Sequence, residues 1–259
     1  MNLKRCPICG GPINGLWPTL RMWRCTDCGL LMRSPQPTEG ELGDLYDESW
    51  AAPENNTRET GGTDHSLAAE YVAQLLHSLR LGSFSDVNIL DFGAGRGATV
   101  AALLARGANV VAVEPYGHTY LQQRGVNTFR QLDDIPEDTR FDGVVSIDVL
   151  EHLPAPQQTI THLRRYLSDD GWLFLATPNA AGISCRLKRT KWKEVRNPGH
   201  LFLFSPHNLE SLLLRAGFVR PRRLHWRVQY TTHPARRALH ILLQTLAIDG
   251  ELRYLAYKS

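Results

Sequence analysis

The sequence predicts a doubly wound α/β domain preceded by a small cysteine-rich module. Three observations carry this. Apolar runs alternate with amphipathic stretches from residue 64 onward, the first of those runs ends in a glycine-rich turn, and four of the five cysteines lie within the first 28 residues. Strands separated by helices of this length imply parallel crossovers and hence a doubly wound parallel sheet. The 259 residues are 42% hydrophobic and 21% charged, a balance that supports a buried core and excludes extensive disorder. No stretch approaches the roughly 18 uninterrupted apolar residues of a membrane span, and Met1 to Pro7 contain no apolar leader region, so the expected compartment is the cytoplasm.

The module comes first. Cys6-x-x-Cys9 and Cys25-x-x-Cys28 are separated by 15 residues, the spacing of a four-thiolate zinc site. Each pair forms a tight turn that supplies one edge of a tetrahedron, and Gly10 and Gly29 follow where the turn requires positive φ. A redox dithiol and a disulfide pair are the competing readings. The first is weakened by the duplication, the second by the missing secretory signal. Residues 1–35 are too few to build a core without metal, so the expected role of the zinc is structural. Pro35 and Pro37 close the module. Residues 36–63 read as a linker, acidic and marked as loop by Asn55-Asn56 and Gly61-Gly62, with one short helix around Glu41 to Tyr46. Cys185 reads as an ordinary packed thiol.

The third unit spans residues 64–259. Leu67, Tyr71, Leu75 and Leu79 mark one face of a helix. Val87 to Phe92 is a buried strand, and the helix after its turn carries Val100, Leu103 and Leu104 and stops at Gly107. Asn109 to Glu114 is the second strand, Gly117 to Arg124 a short helix, and Thr128 to Leu132 a third strand. Phe141 to Ile147 is the fourth, followed by a helix with Ile160, Leu163 and Leu167, and Gly171 to Thr177 is the fifth. Ser205 before Pro206 starts a helix striped by Leu209, Leu212, Leu213 and Ala216 and closed by Gly217. The segment Val219 to Tyr230, a helix with Leu239, Leu242, Leu243 and Leu246, and a last strand from Leu252 to Tyr257 complete the chain.

Asp91-Phe92-Gly93-Ala94-Gly95-Arg96-Gly97 lies between strand and helix, where three glycines let the backbone press against a ligand. Glu114 ends the next strand, placed to accept ribose hydroxyl protons. Gly93-x-Gly95-x-x-Ala98 also satisfies the dinucleotide pattern. Asp91 discriminates between the two ligands. A carboxylate just ahead of the turn would repel a pyrophosphate and suits a ligand bearing an ammonium and a sulfonium, which is S-adenosylmethionine.

With these residues in place the chain resembles the class I S-adenosylmethionine-dependent methyltransferases over roughly residues 66–259. Phe141 to Pro154, containing Leu150-Glu151-His152, looks like the family's fourth strand and the follow-on of its "LEH" subgroup. Asp170 to Asn179 is similar to the fifth-strand motif, and Gly199 to Pro206 with Ala216-Gly217-Phe218 to a later one. The zinc module followed by Pro35-Gln36-Pro37-Thr38 looks like the ribbon carried by bacterial members associated with sugar and surface-glycan modification. The resemblance implies Gly93, Gly95 and Gly97 around the methionine part of the cofactor, Asp91 at its amino group and Glu114 on the ribose. It further implies Leu132 and Asp133 near adenine, and Asp148 beside the methyl donor.

Methyl transfer from a sulfonium is an in-line displacement in which positioning supplies most of the acceleration, and a base is needed when the acceptor is a hydroxyl. His152 and His200 are the candidate bases. Asp148, Glu151 and His152 have i, i+3, i+4 spacing, which would place three ligands on one helical face. Some ubiquinone-biosynthesis O-methyltransferases hold a divalent metal with Glu, Glu and His at the matching positions; here the first is the shorter Asp148, and a helix-start and hydrogen-bonding role is the competing reading. Charge is segregated along the chain. Residues 36–185 hold 9 basic and 21 acidic side chains, and residues 186–237 hold 13 basic and 2 acidic. Arg186, Lys188, Arg189, Lys191, Lys193 and Arg196 flank Trp192 where a lid is expected, which suits an anionic acceptor and equally suits nucleic acid. The expected activity is methyl transfer to oxygen of a small molecule or glycan precursor. A zinc-ribbon RNA methyltransferase and an NAD-dependent oxidoreductase are the alternatives.

Overall fold

A computed structural model describes residues 3–45, 65–226 and 233–259. Tyr46, Asn55-Asn56, Gly61-Gly62 and Arg227 to Tyr230 lie outside these. The main sheet is built on β4 (Asn88–Phe92), β5 (Asn109–Val113), β6 (Thr128–Phe129), β7 (Phe141–Ile147) and β8 (Leu167–Pro178), all mutually parallel, in the order β8-β7-β4-β5-β6. The strands are legible because both faces are covered: Ile89, Leu90, Val144, Val145 and Leu173 to Ala176 are buried. Helices α2 (His65–Leu79), α3 (Ala98–Leu104), α4 (His118–Gln122) and α5 (Pro156–Tyr166) lie between or beside them. Gly143 is obligatory, because a Cβ there would overlap the indole of Trp172 on β8.

Two features of the sheet correct the expectation of a purely parallel array. The segment from Val219 yields β10 (Val219–Arg223), and the last strand is β11 (Glu251–Tyr257). β11 inserts between β8 and β10, antiparallel to both. Helix α8 (Pro206–Arg215), the helix expected from Ser205 to Gly217, lies between β8 and β10 in the chain. β11 is buried on both faces from Leu252 to Ala256, so its sequence is indistinguishable from that of a parallel strand. The third expected strand, Thr128 to Leu132, pairs only at Thr128–Phe129, and Leu132–Asp134 is a 3-10 turn closed by a box between Gln131 and Asp134.

The amino-terminal residues form β1 (Ile13–Trp17), β2 (Met22–Cys25) and β3 (Leu31–Arg33), followed by α1 (Glu39–Leu45), which covers the described part of the helix expected at Glu41 to Tyr46. β3 pairs antiparallel with β9 (Phe202–Leu203), so the small sheet has the order β1-β2-β3-β9 and takes its fourth strand from the other end of the chain. A mixed core of Met22, Leu31, Cys185, Trp192, Val195 and Leu203 fills the junction. Asn208, at the start of α8, donates to the Cys28 carbonyl at 2.8 Å. The module is thus a wall of the larger body, continuous with it through backbone and core. Helix α6 (Ile183–Lys188), the short α7 (Lys193–Arg196) and α9 (Pro234–Thr245) complete the described elements. Among the described residues no helix is long and apolar enough to cross a membrane.

Candidate active site

Above the carboxyl ends of β4, β5, β7 and β8 lies a cavity of about 1970 Å³ lined by Asp91, Gly93, Gly95, Glu114, Asp148, Glu151, His152 and His200, and on the module side by Gln36, Pro37, Thr38 and Leu42. A second cavity of about 390 Å³ shares Phe92, Val113, Pro115 and Leu153 with it and adds Leu132, Asp133 and His162. This is where an open parallel sheet presents a ligand crevice.

Gly93, Gly95 and Gly97 all have positive φ, as the turn from β4 into α3 requires. A Cβ at Gly93 would overlap the Val149 side chain. Asp91 is 2% exposed, and its Oδ2 has no hydrogen-bond partner among the described residues. Burial, reinforced by Glu114, pushes its carboxyl up to about 7. A buried carboxylate facing a cavity with one oxygen unsatisfied fits a cationic ligand group. Glu114 sits at the end of β5 as expected, and its carboxylate accepts from the backbone N–H groups of Gly95 (2.8 Å), Tyr116 (3.0 Å) and Gly117 (3.2 Å). A carboxylate offers about four lone-pair sites, so two ribose hydroxyls would displace at least one of these. Leu132 is buried, and Asp133 points outward to within 3.4 Å of His162 Nε2.

The opposite side of the cavity is built by the turn after β7. Asp148 has φ of 54° and Leu150–His152 forms a single 3-10 turn, so the three-ligand helical face expected of Asp148, Glu151 and His152 does not form. His200 takes the place of Asp148: ligand atoms of Glu151, His152 and His200 lie within 4.8 Å of one another. The two imidazoles meet edge to face with centroids 4.6 Å apart. His152 Nδ1 is 2.9 Å from the Gly199 carbonyl. A carbonyl only accepts, so Nδ1 carries the proton and the lone pair of the neutral ring is at Nε2. Glu151 is 1% exposed, accepts from Thr177 Oγ1 at 2.9 Å, and has its other oxygen without a hydrogen-bond partner among the described residues. Burial, then Asp148, pushes its carboxyl well above the usual range. Burial holds His152 near 4, and burial with His152 beside it holds His200 near 3. At neutral pH both rings are uncharged. Asp148 lines the cavity, and desolvation between its walls, then Glu251 and Glu194, raises its carboxyl to about 7.

Three participants were not singled out in the sequence. Thr177 sits inside the fifth-strand motif. Glu194, 3.5 Å from His200 Nδ1, is one of only two acids in the basic segment, which is a usable signal. Glu251 belongs to a buried ion-pair network with Arg253 and Asp249 and accepts from the Tyr71 hydroxyl, and its pairing with β8 has no local signature. Of the basic lid residues, Lys188 and Lys193 line the cavity, whereas Arg189 and Lys191 are exposed outside it. Trp192 also borders the cavity but is 3% exposed, with its indole packed into the junction core.

In the module, Cys6 and Cys28 sulfurs are 3.6 Å apart, Cys9 and Cys25 sulfurs 3.4 Å, and all four lie within 4.8 Å of one another. The cysteines are free thiols. Zinc–sulfur bonds of about 2.3 Å give tetrahedral edges of about 3.8 Å, so the donor set fits zinc.

Residues 64–219 match the sequence profile of a methyltransferase domain family. The chain belongs to that family. Among curated proteins it is similar to the ubiquinone biosynthesis O-methyltransferase of Rickettsia felis, 29% identical over 122 residues that cover 44% of this chain and 50% of that protein. The chain spans about half the length of the curated relatives it matches. Among solved structures it is similar to the 1,6-didemethyltoxoflavin-N1-methyltransferase of Burkholderia thailandensis, crystallised with 1,6-didemethyltoxoflavin and S-adenosylhomocysteine. There the identity is 20%, the TM-score 0.57, and the coverage 90% of this chain and 97% of that one. A methyltransferase of Archaeoglobus fulgidus is similar at 17% identity and a TM-score of 0.53, covering 73% and 94%. The α/β methyltransferase fold is therefore shared with proteins of unlike acceptors, and the site must decide the chemistry.

Proposed function

We propose that this methyltransferase transfers a methyl group from S-adenosylmethionine to a hydroxyl oxygen of a small molecule or glycan precursor. The observation that carries the reading is the convergence, in one cavity, of a buried unsatisfied Asp91 carboxylate, a glycine turn without side chains and a neutral His152. S-adenosylmethionine supplies an electrophilic methyl group when bound. Asp91 would hold the amino end, Gly93 and Gly95 would admit the methionine part while Gly97, packed against Leu121, turns the chain into α3, Glu114 would take the ribose hydroxyls, and Leu132 and Asp133, lining the smaller cavity, would border the adenine. Asp148 lies beside the methyl donor and His152 accepts the acceptor's hydroxyl proton at Nε2, with His200 and Glu194 behind it. Lys188 and Lys193 at the rim suit an acceptor that carries negative charge.

A second reading of the acceptor side is favoured by the unsatisfied Glu151 oxygen: Glu151, His152 and His200 would hold a divalent cation that acidifies the hydroxyl. The cysteine cluster we assign to structural zinc. The test is calorimetric titration with S-adenosylhomocysteine, followed by label transfer to a panel of phenols and nucleotide sugars with and without chelator. Absence of binding to folded protein defeats the proposal, and transfer lost to chelator with binding retained, the cysteine-bound zinc still at one equivalent, and restored by added magnesium, selects the cation reading.

A further inference from the structure

Arg33 ends β3 and is 7% exposed. Among the described residues its guanidinium hydrogen bonds go to carbonyl oxygens: Nη1 to Leu20 (2.8 Å), Nε to His200 (3.2 Å), and Nη2 to Val195 (3.1 Å) and Asn197 (2.8 Å). A buried cation held by carbonyls is costly, and an apolar side chain of similar volume would fill the junction at less cost. What a flat, five-donor fork does and an apolar chain cannot is fix several carbonyls of one loop in register.

The three carbonyls at 195, 197 and 200 straddle Gly199, whose own carbonyl receives the His152 Nδ1 proton. The backbone repeats the link. Arg33 N–H donates to the Leu201 carbonyl at 2.8 Å, and Leu201 N–H donates to the Glu151 carbonyl at 2.8 Å, so a single residue separates the module from the Leu150–His152 turn. Arg33 is in turn placed by the hairpin whose other strand ends at Cys25, through the Met22 to Arg33 pairing. A continuous set of bonds therefore runs from the cysteine cluster to the imidazole.

We propose that Arg33 is a positioning residue: by clamping residues 195–200 it lets the four-cysteine module fix the Gly199 carbonyl and, through it, the tautomer of His152. The inference rests on the reading above in which His152 faces the acceptor. Its consequence is that the module contributes to methyl transfer while leaving the cofactor half of the cavity alone.

The full chain, labelled with nitrogen-15 histidine and assigned with His152→Gln, is examined at neutral pH by long-range proton–nitrogen correlation, alongside S-adenosylhomocysteine calorimetry. The unsubstituted protein is expected to show His152 protonated at Nδ1 alone. Arg33→Met, and Arg33→Lys with its charge but no fork, are expected to show loss of that pattern in favour of mixed tautomers, with S-adenosylhomocysteine affinity unchanged. With an acceptor in hand, kcat should fall about 100-fold without change in the KM for S-adenosylmethionine. Retention of the Nδ1 pattern in either folded variant overturns the proposal, and so does loss of S-adenosylhomocysteine binding in both. If Arg33→Met does not fold, Arg33→Lys decides by the same criteria. Failure of the unsubstituted protein to bind S-adenosylhomocysteine would instead defeat the functional reading, a distinct result.

Discussion

Asp91 is kept short of a partner inside the fold, and the cost is pH-dependent. Its folded-state pKa of about 7 exceeds the ordinary 3.8, so its contribution to stability is fully present below pH 4 and is lost as pH rises towards 7. Without ligand, Asp91→Asn should therefore be more stable than the unsubstituted chain above pH 7, with the difference vanishing below pH 4, as read by urea unfolding at each pH. Cofactor binding that pairs the carboxylate with an ammonium should release a proton near pH 6, which calorimetry in buffers of different ionisation enthalpy would detect. At Gly93, where φ is 79° and Val149 occupies the space of a Cβ, Gly93→Ala should destabilise by about 1–3 kcal/mol and abolish binding of S-adenosylhomocysteine. His152→Gln should leave that binding intact and lower kcat by about 10²–10⁴-fold, the usual span for a lost general base.

At the scale of elements, α8 shows how one cap serves two purposes. Ser205 Oγ accepts from the Asn208 N–H, the Asn208 side chain accepts in return from Ser205 N–H, and the same amide donates to Cys28. Asn208→Ala should cost about 1–2 kcal/mol by chemical denaturation and raise amide exchange around Cys28 as well as in the first turn of α8. The helix itself was legible from Ser205-Pro206 and its leucine stripe, as β4, β5, β7 and β8 were from runs too apolar to face water. β3 and β9 could not be paired from sequence, because β9 is two residues long and 170 positions away, beyond any local periodicity. Arg33 reads in a cysteine-rich module as one more surface cation. The meeting of Glu151, His152 and His200 was half legible: both histidines stand out as candidate bases, but only the return of the chain after α7 brings them together, and the left-handed Asp148 breaks the helical register that the spacing suggests.

For the whole molecule, the cavity divides along the sheet. The glycine turn and the end of β5, which line one side, lie within 30 residues and stand out as a motif, and to this side we assign the methionine and ribose parts of the cofactor. The opposite side, which we assign to the acceptor, draws on α2, the 3-10 turn after β7, α7, α9, β11 and the module, so its composition emerges only when distant segments are folded together. S-adenosylhomocysteine at 100 times its Kd should raise stability by about 2.7 kcal/mol and Tm by about 5–10 °C in a thermal scan.

The pairing of β3 with β9 also bears on how such chains can be recombined. Because residues 195–203 close one sheet while carrying a side chain that lines the cavity over the other, a chimera that imports a foreign amino-terminal segment inherits mismatched partners unless that stretch is exchanged with it. The inheritable cassette here is discontinuous, and acceptor preference should travel with both of its pieces or with neither.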